Sequence, residues 1–320
     1  MTFITGTNVA SLVPQATSSE IMKEVPQQSA ALKLGKKLQN MPTGVEKMPV
    51  LSMLPTAYFV NGKPDDESGK KGLRETARME WEDKFIYAEE ISCIVPIENK
   101  YLEDSTFDIW AEVKESVPEA FGLVIDGAVF YGTNKPSTWP NGIVTDAVSK
   151  SMAVTMTSDL YGNLLGKNGV ISLVEKQGYM PSAHVAHLSM RGELRDVKDD
   201  LNRPLFASSM QNVGGYTLDG APIDFPLNGS IDDSKSLLIT GAWNKLVYSF
   251  RRDLYWKVLT EATIFDPTTK ELLYALAQQN MTALMFTMRL GWQIPNPVNR
   301  INSNKNTRYP FAVLKPAASS

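Results

Sequence analysis

Between Trp81 and Gly132 the chain passes from a charged stretch through a β-rich run into one long amphipathic pattern. Phe107, Trp110, Val113, Val117, Phe121 and Val124 recur at three- and four-residue steps. Asp108, Glu112, Glu115 and Glu119 fall opposite them. That period predicts a helix with one buried face. Asp104 or Ser105 can cap its start, and Ile125-Asp126-Gly127 reads as its exit toward Tyr131-Gly132. Pro118 interrupts the pattern. A proline inside a helix removes a hydrogen bond at a cost of about 3 kcal/mol, so a kink or a helix in two pieces is expected. No catalytic motif sits in this segment.

The flanks extend the pattern. Residues 1–17 are small and polar and read as an arm that orders on contact or not at all. Ser18 or Ser19 can start a helix near Glu20, which Pro26 interrupts. Ala31, Leu34 and Leu38 then share a second helical face. The arm's lysines outnumber its acids, as on a solvated helix face or a surface that meets acidic partners or DNA. Met48 to Val60 reads as a strand broken by Pro55. Ala57–Val60 and Phe85–Val95 read as the legs of a long hairpin whose charged, Gly-rich tip spans Gly62 to Gly72. A hairpin protruding alone is marginal in water, so it needs a partner surface.

Beyond the Pro/Gly-rich stretch from Gly132 to Asn141, residues 146–165 and 169–176 are predicted helical. Ala183–Ser189 is a strand candidate, with Ser189 capping a helix through Asp196 and a turn at 199–204. Strands are expected at Leu237–Ile239, Leu246–Phe250, Tyr255–Phe265 and Phe311–Leu314. Pro267–Glu271 reads as a turn with a helix start, and 295–309 as a polar loop. Met281–Ile294 is an apolar run whose propensity alone does not decide between helix and strand.

Composition narrows the function classes. The chain has 320 residues, 43% hydrophobic and 21% charged, with net charge −3. It is an ordinary globular composition, and not that of a basic polymer built to coat nucleic acid. Cys93 is the only cysteine, so no intramolecular disulfide or cysteine-based zinc site can form. It reads as a small core residue of an apolar strand, with no neighbour to activate it. No secretory leader and no apolar stretch of about 18 residues occurs, so no membrane partner is expected. The Asn-X-Ser/Thr sites at Asn228 and Asn280 therefore carry no weight.

His184 and His187 are the only histidines. On one strand, a spacing of three would point them to opposite faces, which disfavours a shared metal. No Gly-X-Ser-X-Gly accompanies them. Gly69-Lys70-Lys71-Gly72 and Gly166-Lys167-Asn168-Gly169 lack the Walker spacing and read as turns. Asp65, Asp66 and Glu67 lack calcium-loop spacing and read as a solvated tip. No catalytic, cofactor-binding or metal site is assigned, and no cofactor.

Several short stretches, taken in order, resemble one family. They are Ser18–Leu38, Met48–Val60, Ala88–Pro96, Leu102–Gly132 with Asp126-Gly127, and Pro140–Ile143. They continue with Tyr179–Phe206, carrying Arg195, Lys198-Asp199-Asp200 and Asn202-Arg203-Pro204-Leu205, and with Asn280–Ile294, carrying Arg289. Together they resemble the Hong Kong 97-type major capsid proteins of tailed phages. The resemblance implies an α+β fold with an N-terminal arm (1–47), a peripheral strand (48–60) and an extended loop (61–87). A peripheral domain with the spine helix (88–137) and an axial domain (138–250) follow. Peripheral return strands (251–299) and a C-terminal axial strand (300–320) complete it. It also makes Met281–Ile294 a strand.

The implied function is a shell subunit that forms pentamers and hexamers around double-stranded DNA. The shell would assemble in the host cytoplasm and become part of the virion, with a portal protein and possible decoration proteins as partners. A nanocompartment shell enclosing cargo enzymes is the alternative, and a soluble enzyme a remote one. Only about 17 residues precede the arm helix, where the founding type carries a long scaffolding segment, so a separate scaffolding protein is expected. The founding type also cross-links a loop lysine to a neighbour's asparagine. Lys63, Lys70 and Lys71, with Asn296 and Asn299, occupy comparable regions, but no motif identifies a pair.

Overall fold

The computed structural model describes residues 29–57, 76–104, 109–198 and 216–317. For Asp104, Trp110–Glu112, Lys114 and Glu115 it describes the backbone alone. The helix expected near Glu20, the loop tip with Lys63, Lys70, Lys71 and the 65–67 acids, and the 199–206 turn lie outside the described residues. So do the capping of the long helix and the burial of Phe107 and Trp110.

The long helix runs from Ile109 to Tyr131 with Pro118 inside it, so of the kink or break expected, the break does not occur. Val113, Val117, Phe121 and Ile125 form its buried face, continued by Ala128 and Val129. Val124 lies off this face and is 51% exposed, against expectation. The helix also does not leave at Asp126-Gly127. The apolar period continues through Val129, and the burial of that face carries the helix one turn further than the Asp-Gly pair suggests.

Two of the sheets share a core with this helix. The first contains β1 (Lys36–Lys37), β4 (Glu89–Glu98), β10 (Val247–Leu259) and β13 (Met281–Gln293), in the order β1-β10-β13-β4. β13 pairs antiparallel with both long neighbours, so the apolar run 281–293 is the inner strand of this sheet. Pro96 is tolerated in β4 because β4 is an edge. β10 joins two runs expected to be separate strands, with register irregularities between Phe250 and Tyr255.

The second sheet contains β5 (Ala153–Thr155), β6 (Ala183–Ala186), β7 (Thr217–Leu218), β8 (Ala221–Asp224), β9 (Leu238–Gly241) and β14 (Phe311–Lys315). Its order is β5-β14-β9-β6-β8-β7. β6 and β9 are buried at every residue, as expected for strands covered on both faces. Helices Ile143–Ser149 and Val170–Lys176 pack on β14.

The predicted helix over 146–165 is instead two short helices, the second Leu160–Leu165, with β5 between them. Residues 267–271 form a turn between β11 (Thr263–Phe265) and β12 (Leu272–Ala275), not a helix start. Asp266 there accepts the Thr268 and Thr269 amides, which competes with helical bonding. One contiguous core reaches through both sheets and the long helix. Trp243 stands within it, its ring edge-on to Phe130 of the long helix and Phe311 of β14.

Candidate assembly surfaces

The arm is tied to the body at two places. Ser29 caps a five-residue helix, Ala30–Leu34, by accepting the Leu32 amide. The predicted face running on to Leu38 does not form. At Gly35 the backbone turns extended, and β1 pairs parallel with β10. Lys36, Leu38 and Met41 then donate their amides to the Leu246, Tyr248 and Phe250 carbonyls at 2.8 Å each.

A helix this short cannot hold itself in water. Asp126 holds it. Its carboxylate accepts the Ser29 hydroxyl at 2.7 Å and the Ala30 and Ala31 amides at 3.0 Å each. The Asn228 side chain adds a fourth donor at 3.3 Å. Asp126 is fully buried, and burial pushes its carboxyl above the ordinary range while the four donors pull it back. One carboxylate thus joins the arm, the long helix and the 228 loop. Sequence reading took this residue as a mark of the helix exit and missed its role in holding the arm. The signal was the apolar period continuing past it at Ala128 and Val129.

The hairpin is built from β2 (Val45–Met53) and β3 (Glu80–Tyr87), paired from Val45↔Tyr87 to Met53↔Glu80. Of the expected first leg, residues 58–60 lie outside the described residues; the described strand is β2, which overlaps the expected Met48–Val60 run, and the expected leg 85–95 divides at Ala88 between the hairpin and β4. Pro49 is tolerated because β2 has a neighbour on one side only.

The base of the hairpin rests on its own chain. Ile86, on the inner face, packs with Met41, Ala88 and Val247 in a small core. The Trp139 indole donates to the Tyr87 carbonyl at 3.0 Å, and Val298 donates to the Leu51 carbonyl at 2.9 Å. Gly291 of β13 lies so close that a Cβ would meet the Tyr87 carbonyl at 2.4 Å. The hairpin therefore needs less external support than a free ribbon. Its outer face is different. Val45 and Tyr87, Lys47 and Phe85, and Leu51 and Trp81 are cross-strand pairs on that face. Trp81 is 62% exposed and Phe85 40%. Single exposed apolar residues are ordinary, but aromatic rings along one ribbon face mark an interaction surface.

The residues weighed for chemistry have structural surroundings. Cys93 is half-buried opposite Phe286, and burial pushes its thiol up to about 11. His184 is fully buried in β6. Its Nε2 donates to the Leu218 carbonyl, so Nδ1 accepts from the Thr240 hydroxyl. His187 lies beyond the end of β6, so the opposite-face argument does not apply to it. It bonds the Ser189 hydroxyl at 2.8 Å, and Ser189 makes no cap bond. Gly166 and Gly169 end one helix and begin the next, as a turn should.

Asn296 and Asn299 have their amides engaged within the chain, with Arg308 and Tyr179 and with Gln177 respectively. Among the described residues no group of three metal-ligating side chains occurs, and no helix is long and apolar enough to cross a membrane.

His184 sets a pH dependence. Burial lowers its folded pKa from 6.5 to about 4. The neutral ring contributes stability above the unfolded value, and this is lost as pH falls from about 6.5 toward 4. At about 1.36 kcal/mol per unit the loss approaches 3 kcal/mol. Urea unfolding at pH 7 and pH 4 should show this excess in the wild type and lack it in His184→Gln. Equal losses in both would show that the imidazole does not contribute.

The phage capsid family matches residues 10–299. The major capsid protein of Staphylococcus phage 80alpha is 23% identical over 281 residues, spanning 87% of this chain and 80% of that protein. A solved structure from Microbacterium phage Oxtober96 is 31% identical with a TM-score of 0.76, covering 90% of this chain and 91% of the other. One from Mycobacterium phage Adephagia is 24% identical with a TM-score of 0.77, covering 98% and 97%. With both sheets, the long helix and the hairpin in place, the chain belongs to the phage capsid family and has the Hong Kong 97-type fold.

Proposed function

We propose that this chain is the major subunit of a tailed-phage head. Copies associate through closed head-to-tail contacts into pentamers and hexamers, and these close an icosahedral or prolate shell around double-stranded DNA. The observation that carries the contact mechanism is the outer face of the hairpin. Trp81 and Phe85 stand exposed on a ribbon whose base is already packed on its own chain. A second copy that covers this face buries aromatic surface, the usual anchor of a protein interface. Under this reading the β1-β10-β13-β4 sheet with the long helix is the peripheral domain, and the β5-to-β7 sheet the axial domain. A portal protein, a separate scaffolding protein and decoration proteins are its further partners, and assembly takes place in the host cytoplasm. Family membership supports the shell role.

The test is a Trp81→Ser/Phe85→Ser double variant. Neither side chain belongs to a buried core, so the subunit should remain folded, with near-normal circular dichroism and a cooperative melt. Electron microscopy should show capsomers or single subunits in place of closed particles. Closed particles of wild-type size would remove the hairpin face from the assembly mechanism.

A further inference from the structure

Beneath the inner face of the hairpin lies a cleft of about 430 Å³. Lys84, Lys150, Lys305 and Arg308 line it, against two carboxylates, Glu82 and Asp146. The carboxylates are already engaged. Glu82 pairs with Lys305 at 3.2 Å and more loosely with Lys84 at 3.9 Å. Asp146 accepts the Asn141 amide at 3.1 Å. The cations are less well matched. Arg308 is 2% exposed, and its guanidinium donates to the Asn296 side chain and to the Asn296 and Asn302 carbonyls. Those are neutral acceptors, and arginine keeps its charge at any ordinary pH. Among the described residues no carboxylate forms an ion pair with Arg308 or Lys150.

Lys150 is half-buried, its ammonium 4.6 Å from the centre of the Tyr309 ring. Burial pushes its pKa down. Asp146 opposes this, while the positive charges of Lys84 and Arg308 push further in the same direction. Tyr309, also on the cleft wall, has a fully buried hydroxyl with no hydrogen-bond partner. A recess lined with excess positive charge is suited to an anion.

We propose that this cleft binds a small oxyanion of the phosphate class, held by the Lys150 and Lys84 ammonium groups. Arg308 is buried and three of its five N–H groups are spent on Asn296 and Asn302, so it supplies field and not a contact. Lys84 lies on β3 and Lys150 follows the helix Ile143–Ser149. An anion between them fastens the hairpin base to the body, the element on which the proposed assembly depends. A free ion suits the site better than a nucleic-acid backbone, because the hairpin walls one side and the volume is that of a small-ligand pocket.

The experiment uses unassembled full-length protein, with inorganic phosphate as the probe and sodium chloride at matched ionic strength as the control. Calorimetry should show saturable binding, and the melting temperature should rise with phosphate by mass action. Lys150→Gln and Lys84→Gln should each weaken binding by about tenfold or more, and Lys150→Arg should retain most of it. Phosphate should also slow amide exchange across 80–87 in the wild type but not in the glutamine variants. Equal thermal gains in the wild type and in Lys150→Gln would mean that phosphate acts only by exclusion from the surface, which overturns the proposal. Absence of saturable binding overturns it too. So does a site that takes a short DNA duplex through Lys150 but not inorganic phosphate. If Lys150→Gln fails to fold, Lys84→Gln on the hairpin decides by calorimetry. Loss of phosphate binding with normal shells would leave the assembly reading intact.

Discussion

Phe121→Ala should destabilise the subunit by about 3–5 kcal/mol, the usual cost of removing a buried aromatic ring. Phe121 is 2% exposed and sits between Val117 and Ile125 on the buried face of the long helix. One turn earlier, Pro118 removes a backbone hydrogen bond that an uninterrupted helix would have. The helix continues through the proline because its face is packed, so the ring is lost where backbone bonding can least compensate. Val124→Ala is the control. It lies three residues away on the same helix but is solvent-exposed, and should change stability by no more than about 0.5 kcal/mol. Denaturant unfolding of both variants reads the contrast, with Phe121→Ala also expected to accumulate as insoluble protein. Comparable losses in the two would mean that the buried face has been misplaced.

Asp126→Ala should release the first segment of the arm while leaving the second attached. The substitution strands two backbone amides and a hydroxyl in a buried site. Each such donor costs about 1–3 kcal/mol if it stays unsatisfied. The five-residue helix is too short to persist alone, and its main remaining hold is the burial of Ala30, Ala31 and Leu32, so detachment is the expected outcome. Residues 36–41 keep their hydrogen bonds to β10 and should not follow. Hydrogen exchange should therefore speed up at Ala30, Ala31 and Leu32 and stay slow at Lys36, Leu38 and Met41. Unchanged protection at 30–32 would show that Asp126 does not hold the arm. If shells depend on an ordered arm, the same variant should also assemble poorly.

The face of the long helix through Val113, Val117 and Phe121 was legible in the sequence, because burial on one side of a helix leaves a 3.6-residue record. The short strands at 183–186 and 311–315 and the helix at 170–176 were legible for similar reasons, as compact apolar runs between turn residues. Residues 281–293 were not decided by propensity. Their Leu and Met, unbranched at Cβ, suit either state, and resemblance supplied the strand. The end of the helix was misread because Asp126-Gly127 looks locally like an exit, although the period continued beyond it. The second hairpin leg was misplaced because β3 and β4 form one uninterrupted β-capable run, and only the tertiary fold divides it between two sheets at Ala88.

The deepest division lies between local pattern and long-range contact. Periodicity and turn chemistry are written within a few residues, and they determined the long helix, most of its inward face and several short strands. Ser29 and Asp126 meet across 97 residues, and the lysines of the cleft come from elements far apart in the chain. No local rule couples such positions. Only the packing of two sheets and one helix brings them together, and only there do a buried carboxylate and a buried guanidinium acquire their electrostatic meaning.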